Sequence, residues 1–318
     1  MKKQIIHKLF YLIWMLALIS LISFFAIHLA PNSFLSAGEL NPNITKESIE
    51  HLKEIYGLDK PLWDQYFSWI KALIHFDFGI SFASGKPVIE EIKERIGVTL
   101  GINIVSMIFI FVISFFAGIY SAIREGSLLD RFIKNLSLVS FSMPSFYLAL
   151  LLILFFAVEF AWFPLGGLHS LEPKNGIAYY LDIAWHLVLP IVVVVFVGFG
   201  SLTQYIRSLT IDILKSDYIF FAKARGIGQK ELIYYYIIPN LKPPVITMLG
   251  LSLPGIIGGS VILESIFGIN GMGLLFYQAA MARDYPVILG ILIITAFLTL
   301  LGNILADLAL LKLNPFTR

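Results

Sequence analysis

Six apolar runs divide this chain, at about 9–29, 99–122, 136–160, 185–207, 244–263 and 286–310. A hydrocarbon core about 30 Å thick takes roughly 20 apolar residues as a helix, so each run is long enough to cross a bilayer. Most are apolar on all faces, as contact with lipid and with neighbouring helices requires. The pattern changes after the first run. Thr45 reads as the N-cap of a helix that reaches about Tyr56 and stops at Gly57. Pro61 opens another, in which Trp63, Tyr66, Phe67 and Ile70 fall at helical spacing. Such an aromatic face suits the membrane surface; core packing in an extracytoplasmic subdomain accounts for it as well. The predicted fold is an all-α integral membrane protein with six transmembrane helices and an extracytoplasmic helical insertion after the first. Its parts are an N-terminal helix at 1–30, the insertion at 31–98 and a five-helix core at 99–318.

Charge orients these spans. With the N-terminus inside, the inner short segments carry fourteen basic residues. They are Lys2, Lys3, Lys8, Arg124, Arg131, Lys134, Arg207, Lys215, Lys223, Arg225, Lys230, Lys242, Lys312 and Arg318. The outer short loops carry only Lys174 and Arg283. Long loops translocate largely regardless of charge, so the basic residues of 30–98 do not count. Both termini are therefore expected in the cytoplasm. The first run is too long for a signal-peptide core and lacks a small-residue cleavage site, so it is read as a retained helix.

Composition agrees. The chain is 58% hydrophobic and 14% charged, against about 45–50% apolar in soluble domains. Cysteine is absent, which removes disulfides, thiolate metal sites and a cysteine nucleophile. No phosphate-cradling Gly-x-x-x-x-Gly-Lys-Ser/Thr loop and no HExxH occurs. The six histidines are scattered, and a metal cage wants clustered ligands with supporting partners. No catalytic residue, no metal site and no nucleic-acid surface is expected.

The inner segment 208–243 is longer than a turn between two spans requires. It contains FFAKARGIGQKELIYYYIIPNLKPPVI at 220–246, with Ala222, Ala224, Gly226 and, thirteen residues past that glycine, Pro239. This spacing resembles the "EAA…G…P" cytoplasmic loop of ABC-importer permeases. Four more stretches, in order along the chain, resemble the nickel/peptide/opine class of those permeases. They are 57–88, SMPSFYLALLL at 142–152, GGSVILESIFGINGMG at 258–273 and RDYPVI at 283–288. The loop departs from the wider consensus at Phe220 and Phe221, where Glu and Ala are common, and at Tyr236 and Ile238.

The resemblance implies a coupling helix between helices 4 and 5 that docks on an ATPase through Phe220, Phe221, Ala222, Ala224, Gly226 and Pro239. Ile227 and Leu232 are further apolar anchors. A basic surface loop obeying the charge rule is the plainer account of the same residues. The resemblance also implies partners: a second permease subunit, two ABC ATPase subunits, an extracytoplasmic substrate-binding protein and membrane lipid. ATP and Mg would sit on the ATPases, and no cofactor on this chain.

The fifth run is rich in glycine. Gly255 and Gly259 lie four apart, a spacing that lets two helix backbones approach, and Pro254 lets the helix bend. In related permeases this helix lines the translocation path; ordinary packing within the bundle is the alternative. The ionisable residues nearest the membrane are Glu159, His186, Glu264 and Asp307, functional candidates by default. Glu264 ranks first, as an outer-gate residue.

The resemblance implies one permease subunit of an ATP-driven, binding-protein-dependent importer in a bacterial inner membrane. HFDFGISFASGKPV (75–88) resembles nickel permeases most, so nickel is the expected cargo and di- or oligopeptides the alternative. A membrane enzyme lacks its acid/base or metal motif. An ATPase-independent transporter lacks its inverted repeat.

Overall fold

The computed structural model describes residues 2–29, 60–172, 174–257 and 259–313. The helix expected over Thr45–Tyr56 lies outside them. In chain order the helices are α1 (Lys2–His28), α2 (Leu62–Ile74), α3 (Val88–Ile123), α4 (Leu128–Ser142), α5 (Ser145–Leu152) and α6 (Ile177–Leu214). There follow α7 (Asp217–Ala224), α8 (Gln229–Leu232), α9 (Ile238–Ile257), α10 (Val261–Ile266), α11 (Met272–Ala282) and α12 (Tyr285–Leu313). Wider π-type turns extend α5 over Ile153–Glu159 and join α8 to α9 over Ile233–Ile237.

The six apolar runs do not become six plain rods. Among the described residues four helices are long and apolar enough to cross a bilayer: Phe10–Ile27 within α1, α3, α6 and Tyr285–Leu305 within α12. The run at 136–160 is broken. α4 and α5 meet at a 103° bend and make a fifth span only if taken together. Pro144 explains the break: it offers no N–H and pushes the preceding residue out of the helical region, and Met143 sits at ψ 123°. The run at 244–263 also breaks. α9 ends at Ile257, Gly259 takes φ 64°, and α10 restarts under Ser260, whose hydroxyl accepts from the Leu263 amide at 3.4 Å.

The chain forms two compact units, residues 1–97 with 271–301 and residues 98–270 with 302–318. In the first, α2 packs on α1 through Tyr66, whose hydroxyl meets Ser20 Oγ at 3.0 Å and whose ring lies 5.4 Å from Phe24. Trp63 and Phe67 on the same helix are exposed. The aromatic set thus divides: Tyr66 is buried against α1, Trp63 touches Phe25 with ring centroids 4.9 Å apart while staying largely exposed, and Phe67 is exposed. Val88, Ile92, Met272, Leu275, Val287 and Ile291 make the neighbouring core.

In the second unit the usual amphipathic pattern is inverted. On α3 the buried positions include Thr99, Ser106, Ser114 and Ser121, whereas Ile108, Phe109, Val112 and Phe116 are exposed. Those buried positions recur every seven or eight residues, hence on one face. Small polar residues let helix backbones approach where lipid supplies no hydrophobic drive. α4 meets α6 in the same way at Gly200, where any Cβ would fall 2.8 Å from Ser140 Oγ. That hydroxyl accepts from the Gly200 amide at 3.0 Å and donates to the Phe196 carbonyl. α4 is thereby stitched into the helical ladder of α6.

Candidate functional site

The segment between α6 and α9 is built outward from one buried stripe. Ser216 ends α6 with its hydroxyl on the Ile213 carbonyl at 2.5 Å and starts α7 in extended geometry. Along α7, Ile219 and Ala222 are buried. Ile219 joins a core of Ile119, Leu202, Ile206, Leu232, Ile237 and Leu241. Phe220 and Phe221 point the other way, 69% and 61% exposed, with ring centroids 5.8 Å apart. Two large rings held in the open beside Lys223, Ala224 and Arg225, all exposed, form an apolar surface with a basic rim.

Gly226 closes α7. Its amide bonds the Lys223 carbonyl at 2.9 Å and the Ile227 amide bonds the Ala222 carbonyl at 3.3 Å. These are the two reversed bonds of a Schellman cap, which needs a left-handed residue at the glycine position. Gly226 has φ +81°. Around its missing side chain nothing lies within 4 Å, so backbone conformation and not crowding within this chain requires glycine here.

The candidate docking residues therefore separate. Phe220, Phe221, Ala224 and Gly226 are exposed, Ile227 is half-buried, and Ala222 and Leu232 belong to the interior. The last two are corrected from partner anchors to core residues: α7 can be held to the bundle only by burying one of its faces. In place of the one coupling helix expected in 208–243, the Gly226 cap divides the segment into α7 and α8. Pro239 is exposed at the second position of α9. It has no N–H for the Tyr235 carbonyl, and the helix widens just before it, with the Ile238 amide reaching back to Ile233.

Deeper in this unit α3, α6 and α9 border a cleft of about 270 Å³. Its few polar side chains are Asn103, Ser201 and Ser252. Asn103 Nδ2 donates to the Ile256 carbonyl at 2.7 Å, satisfying one of the orphan carbonyls at the end of α9. Gly255 lines the cleft with nothing within 4 Å of the place a Cβ would take. Gly259, at φ 64°, lies beyond the end of α9 at Ile257, so the two glycines do not share a helical face. Pro254 is inside α9. Glu264, on α10, is buried and accepts from Thr99 Oγ1 at 3.0 Å. Of the other ionisable candidates, His186 is buried with Nδ1 2.8 Å from the Asp182 carbonyl, and Glu159 and Asp307 are exposed.

Apolar runs give no sign of a buried ion pair between α4 and α6. Asp130 is 2% exposed and accepts from Arg207 Nε at 2.7 Å and Arg207 Nη2 at 2.9 Å. One local signal was present: Ser127-Leu-Leu-Asp130 reads as a helix start, and Ser127 Oγ accepts from the Asp130 amide at 3.2 Å.

The binding-protein-dependent transport system inner membrane component family matches residues 114–318, and its N-terminal counterpart matches 1–103. The chain belongs to this family. It is an ABC-importer permease of the peptide/nickel class, an all-α multi-pass membrane protein. It is 36% identical over 298 residues to the oligopeptide transport system permease AppB of Bacillus subtilis, covering 93% of each chain. It is 31% identical to the dipeptide permease DppB of Lactococcus lactis, covering 100% of both. To DppB of Escherichia coli K12 it is 31% identical, covering 94% of both. Among solved structures, the inward-facing MetNI methionine ABC transporter matches 71% of this permease and 97% of its own chain. The TM-score is 0.54 at 17% identity, which speaks to the fold alone.

Proposed function

We propose that this permease is half of the path of an ATP-driven importer for di- or oligopeptides. The carrying observation is end-to-end similarity to permeases named for oligopeptides and dipeptides. Nickel, the cargo first expected from residues 75–88, is replaced by peptides. Those relatives align over 93–100% of this chain, so that stretch is no mark of nickel.

In this reading α7 docks on an ATPase through Phe220 and Phe221, and the cleft at Asn103, Ser252 and Gly255 is this subunit's share of the path. ATP and Mg belong to the ATPase chains. A second permease subunit and an extracytoplasmic binding protein complete the assembly, and both termini lie in the cytoplasm. Uptake in a strain deleted for this chain tests the cargo. Radiolabelled alanyl-phenylalanine should fail to enter and return on complementation. Loss of nickel uptake with dipeptide uptake intact would reverse the assignment.

A further inference from the structure

Three helices of the second unit converge on one carboxylate. Asp130 stands in the first turn of α4. Ser121, from α3, donates to its Oδ1 at 2.6 Å. The Gly126 amide, in the turn between α3 and α4, donates to Oδ2 at 2.9 Å. Arg207, from α6, grips both oxygens and also reaches Ser121 Oγ at 3.1 Å. Glu125 stands 3.8 Å from the same guanidinium. Each carboxylate oxygen accepts from two donors, and the pair with Arg207 is bidentate, the geometry that fixes direction as well as distance.

A buried ion pair is weak evidence for stability, because desolvation of both charges offsets their attraction. What it supplies is a single register between the elements that carry it. Here those elements matter. Ile206, next to Arg207 on α6, is fully buried in the same core as Ile219 of α7. Seven residues separate Arg207 from Lys215, where α6 ends. A displacement of α7 therefore reaches α6 through Ile219 and Ile206, and reaches α3 and α4 through Arg207 and Asp130. α7 follows α6 through the two-residue link at 215–216 and the buried Ile219, and the bidentate pair with its two further donors holds α6 to α3 and α4.

We infer that the Asp130–Arg207 pair, braced by Ser121 and Gly126, is a positioning clamp that makes α7 move as one body with α3 and α4. ATP-driven motion at α7 is thereby carried to the helices bordering the cleft. The inference rests on the proposed docking role of α7.

The chain contains no cysteine, which allows spin labels at Arg131→Cys on α4 and Lys223→Cys on α7, both exposed. In the reconstituted complex the distance between the labels should be the same without nucleotide and with ATP trapped. With Asp130→Asn, or with Arg207→Lys, which keeps the charge but loses the fork, the distance should change on ATP binding. Dipeptide transported per ATP hydrolysed should fall roughly tenfold, with the ATPase still co-purifying. A wild-type distance that changes with nucleotide overturns the clamp, and so does a wild-type transport ratio in both variants. If the variants do not accumulate, the wild-type distances alone decide. Should Phe220→Ala with Phe221→Ala leave the ATPase bound, the docking reading fails; the label distances still report on the clamp.

Discussion

Ser81 donates its hydroxyl to Asp284 Oδ2 at 2.5 Å, across 203 positions of sequence. The same carboxylate takes the Phe82 amide at 3.1 Å and the Ala83 amide at 3.0 Å. Ser81 Oγ in turn accepts from the Ser84 amide at 3.0 Å. Asp284 is 1% exposed, just before α12 and after Arg283 at φ 57°. Two stretches that resemble the permease class, one ending at Val88 and the other opening at Arg283, are thus the two halves of one contact.

Loss of that carboxylate strands the buried Ser81 hydroxyl and the part-buried Phe82 and Ala83 amides. Each unsatisfied buried donor costs about 1–3 kcal/mol. Asp284→Ala should therefore lower stability by about 3 kcal/mol or more, and Ser81→Ala by about 1 kcal/mol. Thermal unfolding of the detergent-solubilised protein measures both. Equal effects from the two would show that the carboxylate does not organise the loop.

At Gly226 the left-handed backbone sets the rule. Asparagine visits that region at little cost, whereas a β-branched residue does not. Gly226→Asn should retain most uptake. Gly226→Val should loosen the α7 cap by about 1–2 kcal/mol and reduce ATPase co-purification without preventing membrane insertion. Identical behaviour of the two variants would mean that φ at this position is irrelevant to function.

Neighbouring residues on α7 should respond in opposite ways. Ile219 is fully buried, and Ile219→Ala should cost about 2–4 kcal/mol of stability. Phe220→Ala and Phe221→Ala remove exposed rings and should leave the melting temperature within about 1 °C, in line with the small effect of surface substitutions. They should instead release the ATPase in pull-down. A stable ATPase complex with both rings gone would place the docking surface elsewhere.

Gly255 faces open space in the cleft, so a larger side chain fits without strain. Gly255→Leu should insert and assemble normally while cutting uptake at least about tenfold by filling volume that solute needs. Undiminished uptake would remove this cleft from the path.

Much of the helical architecture was legible because the bilayer imposes it: runs of about 20 apolar residues leave few alternatives to helices. The special place of Gly226 was legible for a local reason as well, since a glycine after a short helical stretch is a local signal for a left-handed cap. Span count was not. Pro144 and Gly259 each interrupt a run that hydropathy alone reads as continuous, because hydropathy counts transfer energy and is blind to backbone geometry. The inward turn of Ala222 and Leu232 was equally hidden, as only tertiary packing decides which face of a short helix is covered. The two buried carboxylates illustrate the same division. Asp130 and Asp284 look in sequence like loop-end charges beside apolar runs. Tertiary structure alone brings Arg207 to the one and the Ser81 loop to the other, since an ionised group can be buried only where distant parts of the chain supply its partners.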